Sequence, residues 1–165
     1  MSNMELIVVR HATAQPRRED LPDEQRALTP RGRRRFAKAA RGLKRLDIRA
    51  DLLLHSPWLR AVATAELLTG ILDGESRVTP SLAEAPSAQL LEELAGLNAE
   101  RVAIVGHEPW LGELCAWLVA GDPGLATRFV LEKGGVAWLC GTPQPGGMRL
   151  QAWFPPRVLR RVRKR

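Results

Sequence analysis

"LIVVRHATAQ", residues 6–15, sets an arginine and a histidine directly after four apolar residues. The apolar run is continuous and partly β-branched, which suits a strand buried on both faces of a parallel sheet. Strands end at surfaces and surfaces are polar, so Arg10 and His11 have a trivial explanation. They also have a second one, because open α/β sheets hold their ligands outside the carboxyl ends of such strands.

The passage from strand to helix recurs twice further on. In "DLLLHSPWLRAVATAE", residues 51–66, a short strand runs into Ser56 and Pro57, a cap-then-proline signature. It predicts a helix to about Leu68 with Arg60 in its first turn. In "RVAIVGHEPWL", residues 101–111, His107 stands just ahead of Pro109 and a helix whose Leu111, Leu114, Cys115 and Leu118 fall at i, i+3, i+4 and i+7.

Around these junctions, residues 17–27 read as a charged loop without periodicity. Thr29 then caps a helix with Pro30 at its first position, and Phe36, Ala40, Leu43 and Asp47 follow one stripe. "ESRVTPSL", residues 75–82, carries a short strand, and residues 87–97 a helix with Leu90, Leu94 and Leu97 on one side. Residues 134–141 and 148–154 close the chain as two strands joined by the turn "TPQPGG". Alternating strands and helices followed by a hairpin predict an α/β fold, a three-layer α/β/α sandwich with a mostly parallel mixed sheet. Residues 1–156 are expected to form a single domain, with 157–165 a frayed basic tail.

Composition narrows the function. At 165 residues and 45% apolar content, the chain is long enough for one sizeable core. Cys115 and Cys140 lie far apart and make no disulfide framework, which suits a reducing compartment. The histidines at 11, 55 and 107 lack zinc-type spacing, so no metal or cofactor is expected. Leu6–Val9 is too short for a signal peptide's apolar core, and no stretch reaches the ~20 apolar residues of a membrane span. A cytoplasmic location without membrane contact is the expectation. The net charge of +7 favours phosphate-bearing or otherwise acidic partners. Much of the excess sits in residues 31–46 and in the tail "RVLRRVRKR". The first reads as a solvated helix face, the second as a segment that suits a polyanion. No recognised nucleic-acid-binding motif accompanies the charge.

If the three strands are parallel, their ends bring Arg10, His11, Arg60 and His107 to one crevice. Two guanidiniums can clamp a phosphoryl group by charge-assisted bonds, and helix N-termini add N–H donors. A neutral imidazole is a competent nucleophile towards phosphorus, and a second can stabilise the charge in transit.

On "RHA" at 10–12, "LTPRG" at 28–32, "SPWLRAVATAE" at 56–66 and "VGHEPWL" at 105–111, the chain resembles the histidine phosphatase superfamily, typified by phosphoglycerate mutase. It is most similar to the small SixA-type phosphohistidine phosphatases, which share its length. The resemblance implies a phosphoglycerate mutase-like fold, His11 as phosphate-accepting nucleophile, and Arg10, Arg60 and His107 as the phosphoryl pocket. It implies a metal-independent phosphatase working through a phosphohistidine intermediate. Its substrate would be protein phosphohistidine, or, alternatively, a nucleotide or sugar phosphate.

Two positions qualify this. The family has glycine where this chain has Ala12, so a backbone needing positive φ there would be strained and leave only a weak phospho-binding module. Glu84 is the candidate general acid by its order along the chain; its alternative is a capping box with Ser81, against which Pro86 argues. His55 reads as a strand-end residue packed near the site, Ser56 as a cap within reach of phosphate, and Glu108 as a charge at a helix N-terminus. Thr64 lies one turn after Arg60 and can support it, while Trp58 and Trp110 line the entrance.

Overall fold

The computed structural model describes residues 3–164. Its centre is β1 (Met4–Arg10), flanked by parallel β4 (Arg101–Gly106) on one side and antiparallel β5 (Val136–Gly141) on the other. Beyond β4 lie β2 (Ala50–His55) and β3 (Leu72–Val78), both parallel to it, and beyond β5 lies β6 (Met148–Phe154). The order β3-β2-β4-β1-β5-β6 is the mixed, mostly parallel sheet expected from the alternation of elements.

Side chains on a strand alternate between faces, so an unbroken apolar run must bury both. Ile7 and Val9 of β1, with Leu53, Ala103 and Val105, face a core that includes Phe36, Leu43, Ala61, Leu68 and Leu159. Leu6 and Val8, with Leu52, Leu54, Val102 and Ile104, face Leu90, Leu94, Leu111, Leu114 and Leu118. The first core is roofed by α1 (Pro30–Arg45), α2 (Leu59–Glu66) and a C-terminal turn of helix, α5 (Pro156–Leu159). The second is roofed by α3 (Ala88–Ala95) and α4 (Trp110–Ala120). Helices cover both faces, giving the three layers.

Thr29 caps α1 as expected, its hydroxyl accepting from the Gly32 amide at 2.9 Å. Gly32 lets that turn approach β1's exit, since an added Cβ would run into the Thr13 carbonyl. Asp47 does not extend the apolar stripe. It is exposed beyond the helix end with φ 58°, a turn residue rather than a core one.

The cap of α2 also differs from expectation. Trp58, not Ser56, precedes the helix. Ser56 directly follows β2 and donates its amide to the Val105 carbonyl at 3.0 Å, while its hydroxyl accepts from the Trp58 amide at 3.2 Å, one residue ahead of the helix. The expected frayed tail is corrected too. Leu159 is fully buried in the first core, and Arg45 Nη1 donates to the Val162 carbonyl at 2.7 Å. The tail's last residue, Arg165, lies outside the described residues. Among those described, no helix is long and apolar enough to cross a membrane.

Candidate active site

Strand register brings the predicted residues together. Arg10 pairs with Gly106 and His55 with Val105, so β1, β2 and β4 end at one level of the sheet edge. The next residues along, His11 and His107, have ring centroids 5.2 Å apart. They and Arg10, Arg60, Trp58 and Trp110 line one cavity of about 580 Å³.

His11 is held in one tautomer. Its Nδ1 lies 2.7 Å from the Ala12 carbonyl, which can only accept, so Nδ1 carries the proton. The lone pair is therefore on Nε2, where Arg60 Nε donates at 3.3 Å. Burial, reinforced by Arg60 and Arg10, pulls His11 down to about 3. His107 is pulled to about 3 by burial and then by His11 and Arg60. Both imidazoles are neutral at physiological pH, the form in which an imidazole can act as a nucleophile.

Arg60, almost fully buried, is fixed from two sides. Nη1 donates to the Asp23 carbonyl at 2.6 Å and Nη2 to Asp23 Oδ2 at 3.0 Å. Its guanidinium also lies 4.6 Å from the Trp58 ring, a cation–π contact. Thr64 Oγ donates to the Arg60 carbonyl at 2.7 Å and accepts from the Ala12 amide at 3.0 Å. Thr64 thereby ties α2 to the segment that follows His11, a firmer role than support from one face.

Arg10 Nη1 donates to the Leu131 carbonyl at 2.7 Å. His107 Nε2 meets Ser56 Oγ at 2.7 Å. Arg10 Nε and His107 Nδ1 are buried without a hydrogen-bond partner among the described residues. Orphaned buried nitrogens are costly, and the oxygens of a bound phosphoryl group are partners that would satisfy them.

Glu108 does more than sit at a helix end. Oε2 accepts from the Gly112 amide at 3.0 Å and Oε1 from the Leu131 amide at 2.8 Å. It caps α4 and pins the segment whose carbonyl holds Arg10. Burial raises its pKa.

Glu84 is not brought to the cavity. It is exposed and extended at the end of a 3-10 turn, Pro80–Ala83, outside the lining residues. The capping box does not form either, because Ser81 Oγ donates to Glu93 instead. His55 is buried beside the site, its ring against the Ser56 carbonyl at 2.9 Å, and does not line the cavity.

Sequence reasoning missed Arg17, Asp23, Arg26 and Lys133, all of which line the cavity. The aperiodic loop contains a 3-10 turn, Asp23–Gln25, and Arg26 Nε binds Asp23 Oδ1 at 2.7 Å. The i,i+3 pairing of Asp23 with Arg26 was the available signal. Ala12 has an ordinary φ, and its side chain packs in the first core rather than lining this cavity. The strain premise behind a crippled module therefore fails. Among the described residues, no three His, Cys, Asp or Glu side chains gather in a way that could hold a metal ion.

Comparison with known proteins agrees with this geometry. Residues 6–87 match the histidine phosphatase superfamily, branch 1. An uncharacterized protein of Picosynechococcus sp. is 33% identical over 156 residues, covering 90% of both chains. Among solved structures, the protein histidine phosphatase SixA complexed with tungstate superposes with a TM-score of 0.79 at 25% identity, covering 94% of this chain and 99% of that one. The SixA structure from Agrobacterium tumefaciens gives 0.80 at 21% identity over 94% and 100%. A phosphoserine phosphatase from Entamoeba histolytica shares the fold, with a TM-score of 0.70 at 18% identity over 94% and 99%. On the family match and these structural likenesses, with two imidazoles and two arginines gathered at one sheet edge, this chain belongs to the histidine phosphatase superfamily and is SixA-like.

Proposed function

We propose that this phosphatase hydrolyses protein phosphohistidine through a covalent intermediate on His11 Nε2. One observation carries the choice of substrate: among the described residues, the cavity offers no free carboxyl group to protonate a leaving group. Asp23 is held by Arg60 and Arg26, and both oxygens of Glu108 accept backbone N–H groups. Glu84 lies outside. An alkoxide leaving group needs a proton from a general acid, whereas imidazole, with a conjugate acid near ~6.5, departs without one.

In the proposed route, the His11 Nε2 lone pair attacks phosphorus as the substrate's P–N bond breaks. The departing imidazole takes the bonding pair and leaves neutral, since its other nitrogen already carries a proton. Arg10, Arg60 and His107 stabilise the charge on the phosphoryl oxygens in transit. Water then attacks phosphorus, His11 recovers its electron pair, and the water's proton passes to solvent.

The test measures phosphate release from a phosphohistidine protein and from an aryl phosphate, with a chelator present. Wild type should release phosphate from both, and His11→Ala should lower either rate by at least ~10³-fold. Glu84→Gln should leave the phosphohistidine rate within about twofold. Phosphohistidine release that survives His11→Ala refutes the covalent route. A Glu84→Gln variant crippled on both substrates refutes the argument from the missing acid, and fast ester turnover without phosphohistidine turnover turns the reading to a phosphomonoesterase.

A further inference from the structure

The two basic stretches of the sequence are neighbours in the fold. α5 lies on α1, with Leu159 buried beneath, and the backbones touch at Gly42, where an added Cβ would run into the Leu159 carbonyl. α1 carries no acidic residue from Pro30 to Arg45, and residues 156–164 carry none. Holding like charges together is unfavourable unless an anion relieves it.

Where these segments meet residues 132–134, they enclose a second cavity of about 430 Å³. Arg35, Lys133, Arg157 and Arg160 line it against one acid, Glu132, which pairs with Arg157 at 3.2 Å. Partial burial, then Arg35 and Arg161, hold the Arg160 guanidinium below its ordinary pKa. The cavity neighbours the site already described: Lys133 lines both, and Ala12, next to His11, lines the second.

We propose that this groove is a docking surface for an acidic segment of the phosphorylated protein substrate, holding its carboxylates while the phosphoryl group occupies the His11 cavity. The proposal rests on the protein-phosphohistidine reading. Charge complementarity selects an anion, and the lining selects a peptide over nucleic acid. Its one aromatic, Phe36, is buried and offers no face on which bases could stack.

The first test is binding of fluorescein-labelled hexaglutamate to the full-length protein, read by anisotropy. Wild type should bind, Arg35→Gln with Arg160→Gln should bind about tenfold more weakly, and about 0.5 M salt should weaken wild type similarly. The double variant removes repulsion, so its melting temperature should match or exceed wild type, which separates lost docking from lost folding. Absent binding, or binding unchanged in the variant, overturns the proposal. So does an oligo-dT that binds more tightly than hexaglutamate and is lost in the same variant, which would make the occupant nucleic acid.

The second test compares two phosphohistidine peptides, flanked by Glu or by Gln. Wild type should favour the Glu peptide about tenfold through KM, and the double variant should lose that preference while an aryl phosphate stays within twofold. Equal turnover of both peptides by wild type sinks the docking surface and leaves the substrate reading intact. Turnover of neither, with hexaglutamate binding as expected, sinks the substrate reading and with it the assignment of the groove to a phosphohistidine substrate.

Discussion

At the scale of single residues, the site is decided by which nitrogen of His11 carries the proton. A carbonyl one residue away at 2.7 Å settles it, and the carbonyl belongs to Ala12. That backbone is placed by the hydrogen bond its own amide donates to Thr64 Oγ and by the Ala12 methyl, which is 2% exposed in the core. Ala12→Gly therefore should not raise turnover. Without a positive φ to relieve, it removes a buried methyl and loosens the chain, costing about 1–2 kcal/mol. Thermal melts and phosphate release from the variant check this, and a gain in activity would show that the methyl obstructs the pocket.

Among elements, the helices differ in what sets their position. α1 needs Gly42 for a backbone approach, not for conformational freedom. In an open helix Gly→Ala stabilises by roughly 1 kcal/mol. Here Gly42→Ala must push α5 away and expose part of Leu159, whose burial contributes about 1.5–3 kcal/mol. The expected sign is reversed, with a lower unfolding midpoint in urea; an unchanged or higher midpoint contradicts the packing. Elements such as these explain what was legible beforehand. β1, β2 and β4, the Thr29 cap and the α4 stripe are written in local patterns of apolarity and capping. Asp23 and Arg26 offer only the local hint of their i,i+3 spacing. The loops that bring them and Lys133 to the cavity are placed by contacts distant in sequence, such as Asp23 with Arg60 and Gly134 with Arg10. Leu159 was hidden for a similar reason: one apolar residue in a basic run carries no periodicity, yet it docks the tail.

For the molecule as a whole, the neutral imidazoles have a thermodynamic consequence. His11 and His107 are held at about 3 in the folded protein, against ~6.5 in the unfolded chain. The unfolded state binds more protons between those values. Their contribution to stability is therefore complete above ~6.5 and lost as pH falls from there towards 3, by no more than about 1.4 kcal/mol per pH unit for each group. Melting temperatures between pH 7.5 and 5 should fall with pH, and His107→Gln should flatten the slope. Equal slopes in variant and wild type would mean that His107 is protonated in the native fold.

The place of β1 in the sheet also bears on how the protein is made. β1, which leads into His11, precedes the other described strands but is sandwiched between β4 and β5, which end at Gly106 and Gly141. On the ribosome its Leu-Ile-Val-Val run emerges before either partner strand and waits, unpaired, until β4 and β5 have been synthesised. Sequence-distant pairing of this kind makes folding slow and leaves a sticky strand exposed in the meantime. The sheet edge that carries Arg10 and His11 is complete only after β5 has been made, so a nascent chain cut short before β5 holds His11 on a strand that lacks one of its two partners.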